Sequence, residues 1–255
     1  MKICILLSGL QRNFEPFIEN QINLVINKYN LDVFIYTSDE NVVRFSNEET
    51  IDYIKKENYN NDENFFKNKY KNLKSIFIDY NNLKFNEFID KNNIVKHKNH
   101  TVNMISSYFK INECIKLMED YEVINNIKYD IVMRCRLDFF AFNNFLNPYE
   151  VNTNIIYLPI SYYNNHKDDG GFIMSRNNID YFKNFIYEII NYNDEFYTIN
   201  IEHELIYYLE KHFEVYFTSD FCYRIGVGCK INEIPFINNN FKDNLYSIEY
   251  KNELN

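Results

Sequence analysis

The chain has 255 residues, 46 % of them hydrophobic, with a formal net charge of −9, five cysteines and no tryptophan. That length and apolar content suffice for one large domain with its own core, whereas the acidic balance argues against a protein that wraps nucleic acid or lies on an anionic membrane. An odd number of cysteines with no CxxC pair offers neither a disulfide framework nor a zinc knuckle, and fits a reducing cytoplasm.

Ile3–Leu7 is a continuous apolar run that ends in Ser8-Gly9, the pattern of a buried parallel strand entering a loop. It is too short for the core of a signal peptide, and no stretch approaches the ~18 apolar residues of a membrane span. From Asn13 to Tyr29, Phe14, Phe17, Ile18, Ile22, Val25, Ile26 and Tyr29 recur at helical spacing. Asp32–Thr37 (DVFIYT) is a second buried strand, so the chain opens as β-loop-α-β, which predicts two neighbouring parallel strands. Residues 39–72 are polar and read as one or two surface helices. Ser75–Tyr80 is a third strand and 81–102 a polar connection.

Asn103–Val123 carries Met104, Tyr108, Ile111, Ile115 and Met118 on one stripe and is the clearest helix. Tyr129–Arg134, Ile155–Pro159 and Gly171–Ser175 read as strands, followed by helices at about 178–192 and 201–212 and a strand at Val215–Thr218. This alternation predicts an α/β fold, one central and mostly parallel sheet flanked by helices.

Only five glycines are present, confined to three expected loops: Gly9, Gly170–Gly171, and Gly226 with Gly228. Each loop is either an ordinary turn or a place where the backbone needs positive φ or approaches a ligand. The first, SGLQRN, offers backbone N–H groups and Arg12 to an anion. No GxxxxGK[ST] or GxGxxG occurs, so the usual fingerprints of P-loop hydrolases and dinucleotide oxidoreductases are missing.

Six of the 27 basic residues are arginines, and two of them sit two positions apart in YDIVMRCRLDFF. Arginine is the residue of choice where a rigid donor fork meets an anion. If the chain stays extended, Arg134, Arg136 and Asp138 share one side at a strand's carboxyl end, where open α/β sheets bind ligands. The competing reading is a structural ion pair in which Asp138 neutralises the arginines. Asp168 and Asp169 precede Gly170 at the entry to a strand, where a loop can present a carboxylate to a cleft or to solvent. Glu202 and Glu204, flanking His203, open a helix as either site acids or compensation for its dipole. His97 and His100 have no accompanying acid or cysteine cluster and read as a solvated loop.

The order KICILLSGLQRNF, DVFIYTSD, YDIVMRCRLDFF, DDGGFIMSRNNIDYF and EHELIYYL resembles a family of predicted glycosyltransferases of bacteria and large DNA viruses. That family's pattern is SGxxR after the first strand, a VFIHTW-like second strand, R-x-R-x-D, N/D-D-x-F and a later acid-containing helix. The resemblance spans roughly residues 2–218. It implies a GT-A-like domain over 1–220 and leaves unaccounted for the tail at 221–255, which is expected to pack on or cover the active site. It further implies a nucleotide-sugar donor, a glycan or other hydroxyl acceptor, and a Mn²⁺ or Mg²⁺ ion.

Carried over by position, Ser8, Gly9, Gln11 and Arg12 would contact nucleotide or pyrophosphate, Asp39 the base or ribose, and Arg134 and Arg136 the phosphates. Asp138 would stand where the family's metal-binding acid stands. The sequence departs from D-x-D, because Arg136 takes the place of the first acid. Two guanidiniums can stabilise a leaving diphosphate without a metal, and a hydroxyl acceptor needs a carboxylate base, for which Asp168, Asp169 and Glu204 are the candidates. Two alternatives remain open at this level: a catalytically silent nucleotide- or glycan-binding protein on the same fold, and another anion-handling transferase such as a sulfotransferase.

Overall fold

In the computed structural model the described residues are 1–11, 18–39, 42–47, 50–55, 61–92, 99–141, 145–159, 170–191, 201–218 and 222–224. The chain divides into two units, Met1–Arg224 and Ile225–Asn255. The tail expected over the site therefore lies outside the described residues, apart from 222–224.

The first unit is built on a seven-stranded sheet. In chain order its strands are β1 (Ile3–Leu10), β2 (Asp32–Ser38), β5 (Leu73–Asp79), β6 (Ile131–Cys135), β8 (Ile155–Pro159), β9 (Gly171–Ser175) and β10 (Glu214–Thr218). Across the sheet they run β10-β8-β9-β6-β1-β2-β5. β6, β1, β2 and β5 are mutually parallel, β9 runs antiparallel to both β6 and β8, and β10 is parallel to β8. The four strands expected in one parallel sheet are thus adjacent members of it. Two small pairs complete the strands: the hairpin β3 (Val42–Asn47) with β4 (Thr50–Lys55), and β7 (Phe139–Ala141) with β11 (Cys222–Arg224).

Period-two alternation in β1 sorts its side chains between two cores. Cys4 and Leu6 join Phe34, Tyr36 and Val132 beneath α4 (Asn99–Asn125), and this layer also takes α3 (Leu83–Lys91), α5 (Ile179–Asn191) and α6 (Ile201–His212). Ile3, Ile5 and Leu7 face the other way, onto α1 (Ile18–Gln21), its continuation Ile22–Ile26, and α2 (Glu63–Lys69). Each fully buried Ile or Leu of this strand contributes about 1.5–3 kcal/mol, which is why the first ten residues seat the whole sheet.

Three expectations need correction. Within 39–72 the structure holds the β3–β4 hairpin before α2, because Val42, Val43, Phe45, Ile51, Tyr53 and Ile54 favour a pleated pair over a helix despite the polar residues among them. The supposed connection 81–102 contains α3, whose Phe85 and Ile89 are buried one turn apart. The first helix is described only from Ile18, and from Ile22 to Ile26 it is π-helical, closing with Asn27 N–H to Ile22 O at 2.8 Å. That widening adds a residue to the turn.

Candidate functional site

The chain leaves β1 toward β2 over one face of the sheet and returns to β6, on the far side of β1, through α4 on the other face. The strand order therefore reverses between β1 and β6. In open α/β sheets the crevice outside the carboxyl ends at such a reversal is where ligands bind.

Arg134 and Ser38 lie there in strand positions that alternate onto the α4 side. Arg134 occupies the penultimate position of β6, opposite Leu6, and is only 2 % exposed. Its Nε donates to Ser8 Oγ at 3.2 Å, joining two strands whose residues are 126 apart in sequence. Its charge also reaches α4: burial pushes the Cys114 thiol well above its ordinary value, and Arg134 partly offsets the rise. Ser38 ends β2 opposite Leu10, fully buried, and its hydroxyl has no hydrogen-bond partner among the described residues.

Gln11, 1 % exposed, donates from Nε2 to Asn61 O at 3.4 Å, which aims its Oε1 away from that carbonyl. This oxygen too is buried without a partner among the described residues. Gly9 has φ of +141°, a region that L side chains rarely adopt, although a Cβ there would meet nothing within 4 Å. The requirement for glycine at this strand end is thus conformational rather than steric. Its carbonyl accepts from Thr37 Oγ1 at 2.8 Å.

The segment after β6 does not stay extended. Phe139 N–H closes a turn onto Arg136 O at 3.3 Å, and Arg136 grips Asp138 in a two-point pair, Nε to Oδ1 at 2.7 Å and Nη2 to Oδ2 at 2.8 Å. Leu137 is swallowed by the opposite core. Cys135 and Leu137 nonetheless share one core, as alternation predicts, while Arg134 meets Ser8 and Arg136 pairs with Asp138.

Asp39 Oδ1 accepts Asn81 N–H at 2.8 Å and so secures a loop in which Asn81 and Asn82 both have left-handed φ, 54° and 51°. Arg12, Asp168, Asp169, His97 and Gly226–Gly228 lie outside the described residues, and so do the side chains of His100, Glu202 and Glu204. Among the described residues no group of three His, Cys, Asp or Glu side chains could hold a metal ion. No helix there is long and apolar enough to cross a membrane.

Four residues of this region escaped the sequence reading. Asp79 ends β5 and accepts Lys84 N–H, Phe85 N–H and the Tyr36 hydroxyl, fastening α3 to the sheet. Lys110 of α4 is 1 % exposed and donates to Ser106 Oγ at 2.6 Å and Asn82 Oδ1 at 3.4 Å. Its signal was a lysine one turn before Cys114 on an apolar stripe. Ser38 was passed over beside Asp39. Gln21 sits between Ile18 and Val25, where helical spacing calls for an apolar residue, and its contacts are described below.

No protein-family model matches the chain, and no curated protein matches it. Among solved structures it is similar to a transferase carrying two cysteine-to-serine substitutions, at 12 % identity and a TM-score of 0.40, over 94 % of this chain and 89 % of that one. It is also similar to a nucleoside-diphosphate-sugar pyrophosphorylase from Vibrio cholerae RC9, at 10 % identity and a TM-score of 0.43, over 88 % and 92 % of the two chains. Both likenesses are too distant to bear on what this chain binds.

Proposed function

We propose that this protein is a glycosyltransferase that takes its sugar from a nucleoside diphosphate sugar and passes it to a hydroxyl of a glycan or small-molecule acceptor. One observation carries the reading: at the reversal point of the sheet the buried guanidinium of Arg134 rests on the Ser8 hydroxyl, and the strand ends there also bring two buried polar atoms, Ser38 Oγ and Gln11 Oε1, that have no partner among the described residues. Leaving such groups unmet costs about 1–3 kcal/mol each, a cost that a ligand bringing both anionic oxygens and O–H or N–H donors would remove. A nucleotide sugar brings both.

In this reading Arg134, Arg136 and Arg12 stabilise the diphosphate as the bond from the anomeric carbon to its oxygen breaks. Ser8, Gly9, Gln11, Ser38 and Asp39 hold the nucleoside and ribose. Asp168, Asp169 or Glu204 takes the proton of the attacking hydroxyl. Asp138 is a poor fit to a Mn²⁺ or Mg²⁺ ligand while Arg136 holds both of its oxygens, so no step is routed through a metal. That same closed pair favours a second reading, a silent nucleotide-binding protein on this fold.

Calorimetric titration of UDP and GDP, each with and without Mn²⁺, tests the proposal. Binding is expected for at least one of them and should weaken in Arg136→Lys, which keeps the charge but not the two-point fork, by about 1–3 kcal/mol. No binding of either nucleotide overturns both readings, and binding without release of sugar from any UDP- or GDP-sugar, with or without added acceptor, leaves the silent binder.

A further inference from the structure

The turn that carries Arg136 and Asp138 is held from outside by two consecutive side chains of α1. Gln21, fully buried, donates from Nε2 to two carbonyls at once, Leu137 O at 2.6 Å and Phe139 O at 2.9 Å. Its Oε1 accepts the hydroxyl of Tyr70, also buried, at 2.9 Å. The Tyr70 hydroxyl donates to that oxygen, so the amide cannot rotate by half a turn without presenting an oxygen to two carbonyls. Asn20 grips both backbone groups of Ala141, accepting its N–H at 2.8 Å and donating to its carbonyl at 3.1 Å. Residues 137, 139 and 141 are thus pinned at alternate positions, and the pinned stretch includes the aspartate of the ion pair.

The local helix is adapted to this. The π-helical turn begins at Ile22, immediately after Gln21, and the next turn again closes over five residues, with Leu31 N–H to Ile26 O at 3.0 Å. Helices of this kind are rare and concentrate where side chains must be offset from regular spacing for a task. Here Ile18, Val25 and Ile26 stay in the core while Asn20 and Gln21 reach the turn.

We infer that Gln21, locked by Tyr70 and assisted by Asn20, is a positioning residue that sets the Arg136–Asp138 turn and thereby the affinity of the site for a diphosphate. The inference rests on the function proposed above. Because the two carbonyls converge on a single NH₂ group, a change at Gln21 acts on the turn's backbone and, through it, on where the Arg136 guanidinium stands.

The test reads backbone hydrogen exchange of residues 136–141 and UDP affinity, both on the full chain below its melting temperature. Gln21→Leu, which keeps bulk and removes the donors, should speed exchange in 136–141 while leaving β1 and β2 unchanged, and should weaken UDP binding about tenfold. Gln21→Glu places a carboxylate against two carbonyls, which favours its protonated form. Its UDP affinity relative to the parent should therefore recover as the pH falls from about 8 to about 5. Tyr70→Phe leaves both donors in place but unlocks the amide, and should fall between parent and Gln21→Leu.

If Gln21→Leu fails to fold, the pH profile of Gln21→Glu and the Tyr70→Phe affinity decide in its place. Unchanged exchange in 136–141, or faster exchange with UDP affinity equal to the parent's, overturns the inference. A parent chain that binds no UDP or GDP instead refutes the proposed function, and the exchange data then decide alone whether Gln21 orders the turn.

Discussion

Two buried arginines sit at opposite ends of the central strands, in different company. Arg176 follows β9 and is ringed by acids: it donates to both oxygens of Glu122 at 2.9–3.2 Å and to Glu119 at 3.1 Å, with Asp180 at 4.0 Å. Lys183 closes the ring by pairing with Glu119 at 2.9 Å, and Glu122 also accepts Tyr129 N–H. Arg134, at the carboxyl end of β6, gives its Nε to the Ser8 hydroxyl, and the neighbouring strand ends carry Ser38 and Gln11, whose side-chain oxygens lack partners among the described residues. The first arrangement joins α4, the turn after β9 and α5, and its carboxylates are matched by cations from this same chain. The second lies where the sheet's order reverses. Under the proposed function, the buried oxygens of Ser38 and Gln11 that lack partners among the described residues are the groups a ligand would satisfy.

That contrast can be broken most directly at Arg176. Arg176→Met strands the buried carboxylate of Glu122, so unfolding free energy in urea should drop by about 3–5 kcal/mol, with UDP affinity of the remaining folded protein unchanged. Arg134→Met should do the reverse, costing about 1–3 kcal/mol of UDP binding by calorimetry while moving the urea midpoint less than Arg176→Met does. If both variants lose stability equally and neither changes binding, the two arginines are equivalent and the proposed site is wrong.

Ser38→Ala sharpens the same comparison. Removing a buried hydroxyl that has no partner among the described residues should leave stability level or slightly raised, whereas losing a contact to ligand should weaken UDP by about 0.5–1.5 kcal/mol.

Tyrosines on the two sides offer a pH test. Burial, and then Glu19, lifts the Tyr70 hydroxyl above its ordinary value; burial, and then its hydrogen bond to Asp32, lifts Tyr129. A hydroxyl raised in the folded state contributes stability that is complete below its unfolded value of about 10 and is lost as the pH rises beyond it. The urea midpoint should accordingly hold level to about pH 10 from these groups and fall above it. Tyr70→Phe should flatten part of that fall, and an unaltered alkaline slope would show that Tyr70 ionises freely in the folded chain.

The smallest effect is expected at a surface pair belonging to neither cluster. Lys67 meets Glu63 at 2.8 Å with both side chains about half exposed, and Lys67→Ala should change stability by only about 0.3–0.5 kcal/mol. A larger loss would mean that charge pairs anywhere on this chain matter alike, and the distinction between the two arginine clusters would lose its basis.

Much of the frame was legible in the residues alone. The continuous apolar runs at 3–7, 33–36 and 131–133 announced central parallel strands because strands buried on both faces have no room for polar alternation. That Ser8 and Arg134 would meet at the carboxyl ends of neighbouring strands followed from parallel strands that end in polar residues. The hairpin at 42–55 was obscured by Arg44, Ser46 and Asp52 among its apolar residues, and α3 by Lys84, Asn86 and Glu87 among its own. Most of what distinguishes the candidate site was decided by contacts over more than a hundred residues: Ser8 under Arg134, and Gln21 on the carbonyls of Leu137 and Phe139. Local spacing said that Arg136 and Asp138 would share a side of an extended strand. Tertiary structure instead folded them into a turn, because two carbonyls facing one buried amide are satisfied together only when the chain bends there.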